Sequence, residues 1–374
     1  MARTDLSGIV PFNDLRRNAA GLTEELTKAF ERVLESGWFV MGPEHDAFEQ
    51  ELQAFVEVPH AIAVANGTDA LQLALTGVGV QPGDRVITAA NAGGYASAAA
   101  ELIGAKPTYA DVDRSTHLLT PEALETVYQE LGNTHAVVVV THLYGAMADM
   151  PAIMAWAKSR DVLVIEDCAQ ALGATRDSRR AGSFGHAATT SFYPTKNLGA
   201  LGDGGAIFTS DDAVATRIRR QRQYGWASKY SVDTSGGRNS RLDELQAAFL
   251  RIKLARLDVW NSRRREIHRR YEQALSSPNV RLVNSAADES FIAHLAVIEA
   301  QDRDMVRRVF SDHKVRTDIH YPFPDHLQPL RRSAANPPLA VTERLAGRVL
   351  SVPLFPELTD DEVEQVAGIF GRLG

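Results

Sequence analysis

Short apolar runs recur through the first two thirds of the chain, separated by stretches whose apolar residues fall three or four apart. The runs at 61–64, 85–89, 106–112, 136–142, 162–167, 188–192 and 206–209 read as seven strands. Several lack any polar alternation, as in Val137-Val138-Val139-Val140, which fits strands covered on both faces. The stretches at 69–75, 121–131 and 150–159 read as helices, with Pro121 and Pro151 in first turns, where a missing N–H costs little. This alternation predicts an α/β fold on a largely parallel sheet with right-handed crossovers. Sheets of that kind collect ligands beyond the carboxyl ends of their strands.

From Leu242 the pattern changes. Residues 242–275 read as one long arginine-rich helical stretch, joining a large domain (1–256) to a smaller C-terminal α/β domain (257–374). Arg263, Arg264 and Arg265 read as a solvated face of that helix. The proline-rich patches at 321–329 and 336–338 read as ordered loops, with a plain linker as the alternative.

Composition narrows the class. A chain of 374 residues with 44% hydrophobic content is enough for a sizeable core. A formal charge of -7 gives no bulk attraction to nucleic acid or an anionic membrane surface. One cysteine, Cys168, makes no internal disulfide and reads as a buried, inert thiol. Near Asp5 there is no long apolar stretch, so neither a signal peptide nor a membrane span is expected. The expected location is the cytoplasm.

Three segments carry candidate chemistry. In Ser191-Phe192-Tyr193-Pro194-Thr195-Lys196, a lysine follows a strand and precedes the glycine-dense stretch Gly199–Gly205. Desolvation there would lower its ammonium pKa and suit Schiff-base formation. No glycine immediately precedes Lys196, so the Walker phosphate loop is not matched. In Val164-Ile165-Glu166-Asp167, an apolar run ends on two acids at the ligand-binding end of a strand. Asp167, if buried, needs a cationic partner, and a protonated pyridine nitrogen would be one. In Asn66-Gly67-Thr68-Asp69, a strand stops before a helix that Thr68 or Asp69 could cap, leaving free N–H groups for a phosphate. Taken singly, a surface lysine, a solvated acid and a ligand-free capped helix remain open. Together and in this order they point to one site.

The spelling of these segments resembles the DegT/StrS-type sugar aminotransferases, fold-type I enzymes dependent on pyridoxal 5'-phosphate (PLP). The resemblance runs from PFNDLRR at Pro11 through SGWFVMGPE, NGTDALQLAL, HLYG, EDCAQALGA, SFYPTKNLGALGDGGA and NSRLDELQAA to HYPFPDHLQP. It implies an aspartate aminotransferase-like fold with a mainly parallel seven-stranded sheet. It also implies that Lys196 holds PLP as a Schiff base and shuttles protons, with pyridoxamine phosphate as the intermediate cofactor form. Asp167 would hold the pyridine nitrogen and Gln170 would lie on the 3-hydroxyl side. Gly67, Thr68 and Ser191 would bind the phosphate, and Asn239 would reach it from the other subunit of a homodimer with shared active sites. No metal is expected.

One departure stands out. The family commonly has a ring-stacking aromatic just after the strand at 86–89, whereas this chain reads Asn91-Ala92-Gly93-Gly94-Tyr95. Tyr95 is the candidate for that place, in a displaced register. His142, Tyr144, His320, Tyr321 and His326 are candidates to line a nucleotide-sugar pocket, with structural roles as the alternative.

The resemblance implies transfer of an amino group from an amino acid, L-glutamate, to a nucleotide-linked keto-sugar, with 2-oxoglutarate released. Its nearest branch acts on dTDP-linked 3-keto-6-deoxyhexoses. Alternatives are a 4-keto-sugar aminotransferase, a relative forming an aminocyclitol or an aromatic amino acid, and a regulatory or scaffold paralogue. The sugar dehydratases of the same superfamily carry histidine where this chain has Lys196, which argues against that class.

Overall fold

The computed structural model describes residues 8–132, 136–332 and 338–373. Residues 1–7, which include Asp5, and residues 336 and 337 of the second proline-rich patch lie outside them. Seven strands form the main sheet: β1 (His60–Val64), β2 (Arg85–Ala89), β3 (Lys106–Ala110), β4 (Ala136–Thr141), β5 (Leu163–Asp167), β6 (Ala187–Ser191) and β7 (Gly205–Thr209). Their order is β1-β7-β6-β5-β4-β2-β3. All neighbouring pairs are parallel except those made by β7, which runs antiparallel to both β1 and β6. The six other strands therefore end on one edge, where Asn66, Thr141, Asp167 and Ser191 meet.

The apolar runs have a physical explanation in the pleat. Successive side chains point to opposite faces, and both faces are covered. Ile62, Val86, Val137, Val139, Ile165 and Ile207 enter one core. Their neighbours Ala61, Ile87, Val138, Val140, Val164 and Phe208 enter the other. Each fully buried valine or isoleucine contributes roughly 1.5–3 kcal/mol, so a polar residue at either parity would be costly.

Helix α1 (Gly67–Gly77) follows β1, and α2 (Tyr95–Leu102) follows β2. The helices Pro121–Glu130 and Met150–Arg160 carry the expected prolines in their first turns and are capped by Thr120 and Asp149. One expectation needs correction. The stretch 242–275 is two helices, α3 (Glu244–Leu254) and α4 (Leu257–Ala274). The chain tightens at the junction, where the Arg256 N–H donates to the Lys253 carbonyl, and no glycine or proline announces the turn.

After α4, an antiparallel sheet of β8 (Val280–Leu282), β9 (Ala296–Ala300) and β10 (Val349–Val352) packs into the same continuous core as one face of the main sheet. The N-terminal segment joins this part through a Val10–Val315 bridge, which brings Phe12 against His320. The first proline-rich patch is an ordered loop: Asp325 receives the Tyr109 hydroxyl at 3.0 Å, and its N–H donates to the Ala90 carbonyl. No helix among the described residues is long and apolar enough to cross a membrane.

Candidate active site

A cavity of about 570 Å³ opens at the carboxyl edge of the main sheet. Its floor is built from β5, β6 and the start of α1. Asp167 ends β5 and is buried; Ala169 N–H donates to its Oδ1 at 3.1 Å and the Thr141 hydroxyl to its Oδ2 at 3.3 Å. Burial pushes the Asp167 carboxyl up, against the pull of the Ala169 N–H and the Lys196 charge. Lys196 lines the same cavity, and burial lowers its ammonium against the attraction of Asp167. Desolvation thus works against both charges in one space, which is the condition under which a lysine becomes a nucleophile near neutral pH.

The lysine loop is locked from several sides. Phe192 is fully buried with its ring edge-on to Phe48, and Lys253 on α3 donates to the Gly199 carbonyl at 2.7 Å. Asn197, next to Lys196, donates to Asn261 Oδ1 on α4 at 2.7 Å. Burial brings the Lys253 ammonium down to about 8, so it still carries its proton at neutral pH and serves as a donor strut beneath the loop.

The start of α1 supplies an anion site. Asn66, rather than Thr68 or Asp69, caps the helix, accepting from Asp69 N–H at 2.8 Å. A Cβ at Gly67 would sit 2.7 Å from the Ser191 Cβ. Glycine therefore lets the first turn of α1 abut Ser191, placing the amino end of the helix and a hydroxyl side by side. The cavity fits PLP on these grounds: a helix N-terminus and hydroxyls for a phosphate, a buried acid that forms no ion pair among the described residues for a pyridinium, and a desolvated lysine.

The model of the DegT/DnrJ/EryC1/StrS aminotransferase family matches residues 21–370. The chain belongs to that family. It is similar to the erythromycin biosynthesis sensory transduction protein EryC1 of Saccharopolyspora erythraea (41% identity, 96% of this chain, 97% of the relative). It is likewise similar to the dTDP-3-amino-3,4,6-trideoxy-alpha-D-glucose transaminase of Streptomyces venezuelae (41% identity, 93% of this chain, 92% of the relative). Among solved structures, S. venezuelae DesV superposes with a TM-score of 0.92 at 38% identity, covering 98% of each chain. The chain is a fold-type I, PLP-dependent sugar aminotransferase, and its substrates are a keto-sugar and an amino donor.

Within this family member, the structure sorts the candidate residues. Gly67, Thr68, Tyr95, Asp167, Gln170, Ser191, Lys196, His320 and Tyr321 all line the cavity. Gln170 is held by two contacts: Tyr144 N–H donates to its Oε1 at 2.7 Å, and its Nε2 donates to the Tyr321 hydroxyl at 3.2 Å. Tyr95 is half exposed and meets Tyr321 edge-on at 6.3 Å. The glycines before it have a steric reason. A Cβ at Gly93 would lie 2.8 Å from the Tyr95 ring and 2.9 Å from that of Tyr321.

Other candidates lie elsewhere. Asn239 is exposed and stands outside the cavity of its own chain, paired with Gln223. Tyr144 is buried behind the cavity wall, its hydroxyl donating to the His320 carbonyl at 2.7 Å. His326 is buried, with Nε2 3.1 Å from Glu343, and does not line the cavity. His142 is fully buried behind Asp167. Its Nδ1 accepts from Ala148 N–H, which leaves Nε2–H to donate to Glu166 at 3.0 Å. A pocket-lining reading of the HLYG segment fails because the chain turns inward there, with Tyr144 at φ 62 and Gly145 at φ 95.

Arg264 and His294 are among the cavity-lining residues that sequence reasoning missed. Arg264 is buried rather than on a solvated face, its Nη1 donating to the carbonyls of His294 at 3.2 Å and Leu354 at 2.9 Å. His294 lines the cavity with Nδ1 2.7 Å from Asn197 Oδ1. A count of α4 positions on the core side, with Leu257 and Asn261 preceding Arg264 by helical spacing, was the available signal for the arginine; nothing flagged His294. Cys168 is buried as expected, its thiol pushed well up by burial beside Glu166 and Asp167.

The adjacent acids Glu166 and Asp167 have opposite tasks. Fully buried Glu166 accepts from the N–H groups of Gly182, Phe184 and Gly185 and from His142. Burial opposes its ionisation, but these donors prevail and hold its carboxyl below the usual range. Glu166→Gln points an NH2 at this ring of donors and should cost about 3 kcal/mol or more of stability. Asp167→Asn keeps the Ala169 contact and should change stability by less than about 1 kcal/mol. Urea denaturation of the cofactor-free variants checks the contrast; equal losses would contradict it.

Proposed function

We propose that the chain aminates C3 of a dTDP-linked 3-keto-6-deoxyhexose, taking the amino group from L-glutamate. The observation that carries the reading is the joining of Lys196 and Asp167 in one cavity with the amino end of α1. The Streptomyces venezuelae relative, named a transaminase of a dTDP-3-amino sugar, supports the choice of substrate. PLP bound here would supply an electron sink that stabilises negative charge on the carbon losing its proton.

The residues divide the work. Lys196 would hold the cofactor covalently and, once freed, would carry the proton between the two carbons. Asp167 would keep the pyridine nitrogen protonated, and that charge would oppose its own neutralisation. Gln170, fixed by Tyr144 and Tyr321, would face the 3-hydroxyl. Gly67, Thr68 and Ser191 would take the phosphate, Tyr95 would border the ring, and His320 and Tyr321 would border the sugar.

The reading includes a homodimer with two shared sites and a division of each chain into domains at 1–256 and 257–374. Support for pairing comes from exposed apolar side chains at Trp38, Phe39, Val40 and Leu201, gathered where residues 38–42 cross the start of α3. Asn239 lies outside its own cavity and would serve the other subunit's phosphate. Mixing Lys196→Ala with Asn239→Ala subunits should then restore activity through heterodimers in which one site has both residues intact. No recovery after verified subunit exchange, with Asn239→Ala itself inactive, would contradict sharing.

The choice of carbon depends on which carbonyl the pocket holds at the reacting nitrogen. With the nucleotide fixing one end, a shift by one ring carbon should be heavily penalised through positioning. Purified 3-keto and 4-keto dTDP-sugars, offered separately with glutamate and analysed by mass spectrometry and NMR, test this. The expected product is the 3-amino sugar with a preference of at least tenfold; equal rates, a 4-amino product or a preference for a UDP-linked sugar would contradict the assignment.

A further inference from the structure

A buried chain of amide groups runs from α4 to the cavity wall and fixes the protonation of His294. It begins at the Leu172 carbonyl, which accepts only, so the nitrogen of Asn261 must face it; that bond is 3.2 Å. Asn261 Oδ1 is thereby turned toward Asn197 and accepts from its Nδ2 at 2.7 Å. Asn197 Oδ1 is left facing His294 Nδ1 at 2.7 Å, and an amide oxygen requires a proton on that nitrogen. The orientation of both asparagines and the tautomer of the histidine thus follow from one backbone carbonyl. Nε2 of His294 is left with its lone pair and has no hydrogen-bond partner among the described residues, while the residue lines the cavity.

The surroundings keep the ring neutral. Burial is the largest influence, and Lys196, Arg264 and His320 add repulsion, so protonation of His294 is displaced well below the ordinary range. Burial likewise lowers His320, which Asp318 opposes. Arg264 acts in a second way by donating to the His294 carbonyl. The backbone on the other side is clamped as well, since Ile292 and Leu295 N–H donate to the carbonyls of Gly145 and Tyr144. A Cβ at Gly145 would come within 2.6 Å of the His294 backbone nitrogen, so the close approach requires glycine there.

We propose that His294 is a fixed hydrogen-bond acceptor for a hydroxyl of the sugar, and that Asn197 and Asn261 are positioning residues that set its tautomer. The inference rests on the sugar aminotransferase reading above. A neutral ring nitrogen with a lone pair attracts O–H and repels a carboxylate, which accepts only. Of the two substrates, the hydroxyl-bearing sugar therefore gains from His294, whereas the carboxylates of the amino donor do not. Asn197 directly follows Lys196, so the same amide chain that orients His294 also fixes the backbone of the cofactor-bearing residue.

Two measurements on the holoenzyme and one on the cofactor-free protein test this. Rapid mixing separates the half-reaction with L-glutamate from that with the keto-sugar. His294→Phe should slow the sugar half-reaction about 10- to 100-fold, and at least tenfold more than the glutamate half-reaction. Nitrogen-15 NMR of histidine-labelled, cofactor-free protein should show His294 protonated at Nδ1 and bare at Nε2 around neutral pH. A second variant guards against misfolding of the first. Asn197→Asp places a carboxylate on Nδ1–H, which favours the imidazolium and raises the histidine pKa; it also removes the Nδ2 donor to Asn261, and any loosening of the lysine loop from that loss slows both half-reactions alike at every pH. Its sugar half-reaction should then be slow at acidic pH, where Nε2 carries a proton, and recover as pH rises, a limb absent from the parent enzyme. Equal losses in both half-reactions, a protonated Nε2, or an Asn197→Asp profile without the acidic limb would overturn the acceptor role. A parent enzyme active on glutamate but inert toward every keto-sugar would overturn the sugar reading together with it.

Discussion

A carboxylate and an ammonium group placed at the same dry sheet edge would ordinarily be joined in an ion pair. Here Asp167 and Lys196 share a cavity, each is disfavoured in its charged form by burial, and Asp167 forms no ion pair among the described residues. The remainder of the architecture serves this arrangement. The parallel ends of β4, β5 and β6 bring the acid and the lysine loop together, and the antiparallel β7 returns the chain so that Gly205 packs against the Asn66 peptide. A charged ring bound between acid and lysine would relieve the first and consume the second. Such a site is poor at stabilising the empty fold and well prepared for its cofactor.

The surrounding polar groups work by exclusion as much as by contact. Glu166 takes up His142 and three backbone N–H groups, so that neither competes for Asp167. His142, Glu166 and Cys168 place their ligand atoms within 4.8 Å of one another, yet the carboxylate is already committed to those four donors. The asparagine chain through Asn261 and Asn197 fixes a histidine in the same manner. Fixed donors and acceptors need no reorganisation when charge moves, which is why they are more effective than mobile ones.

Much of this was legible in the sequence. The seven strands were visible because a sheet covered on both faces removes the polar alternation that would confuse a strand with a loop, as in β4. Lys196, Asp167 and Gly67 stood out because strand ends, glycine spacing and an apolar run into an acid are local features. Tertiary direction was not local. The inward turn at Tyr144 hides His142, and three consecutive arginines on α4 gave no sign that Arg264 alone faces the core. The break between α3 and α4 had no punctuating residue. His294 sits in an apolar strand approach, where its role is set by residues far away in sequence, including Arg264, Asn261, Asn197 and Leu172.

The central claim is that Lys196, above all other lysines, bears the cofactor, with Asp167 governing its electronic state rather than its attachment. Borohydride reduction of the PLP-loaded enzyme, followed by proteolysis and mass spectrometry of the labelled peptide, tests it most directly. The account predicts a single modified residue, Lys196, both in the parent chain and in Asp167→Asn. A label on Lys253 or another lysine, or loss of the label in a folded Asp167→Asn variant, would contradict it.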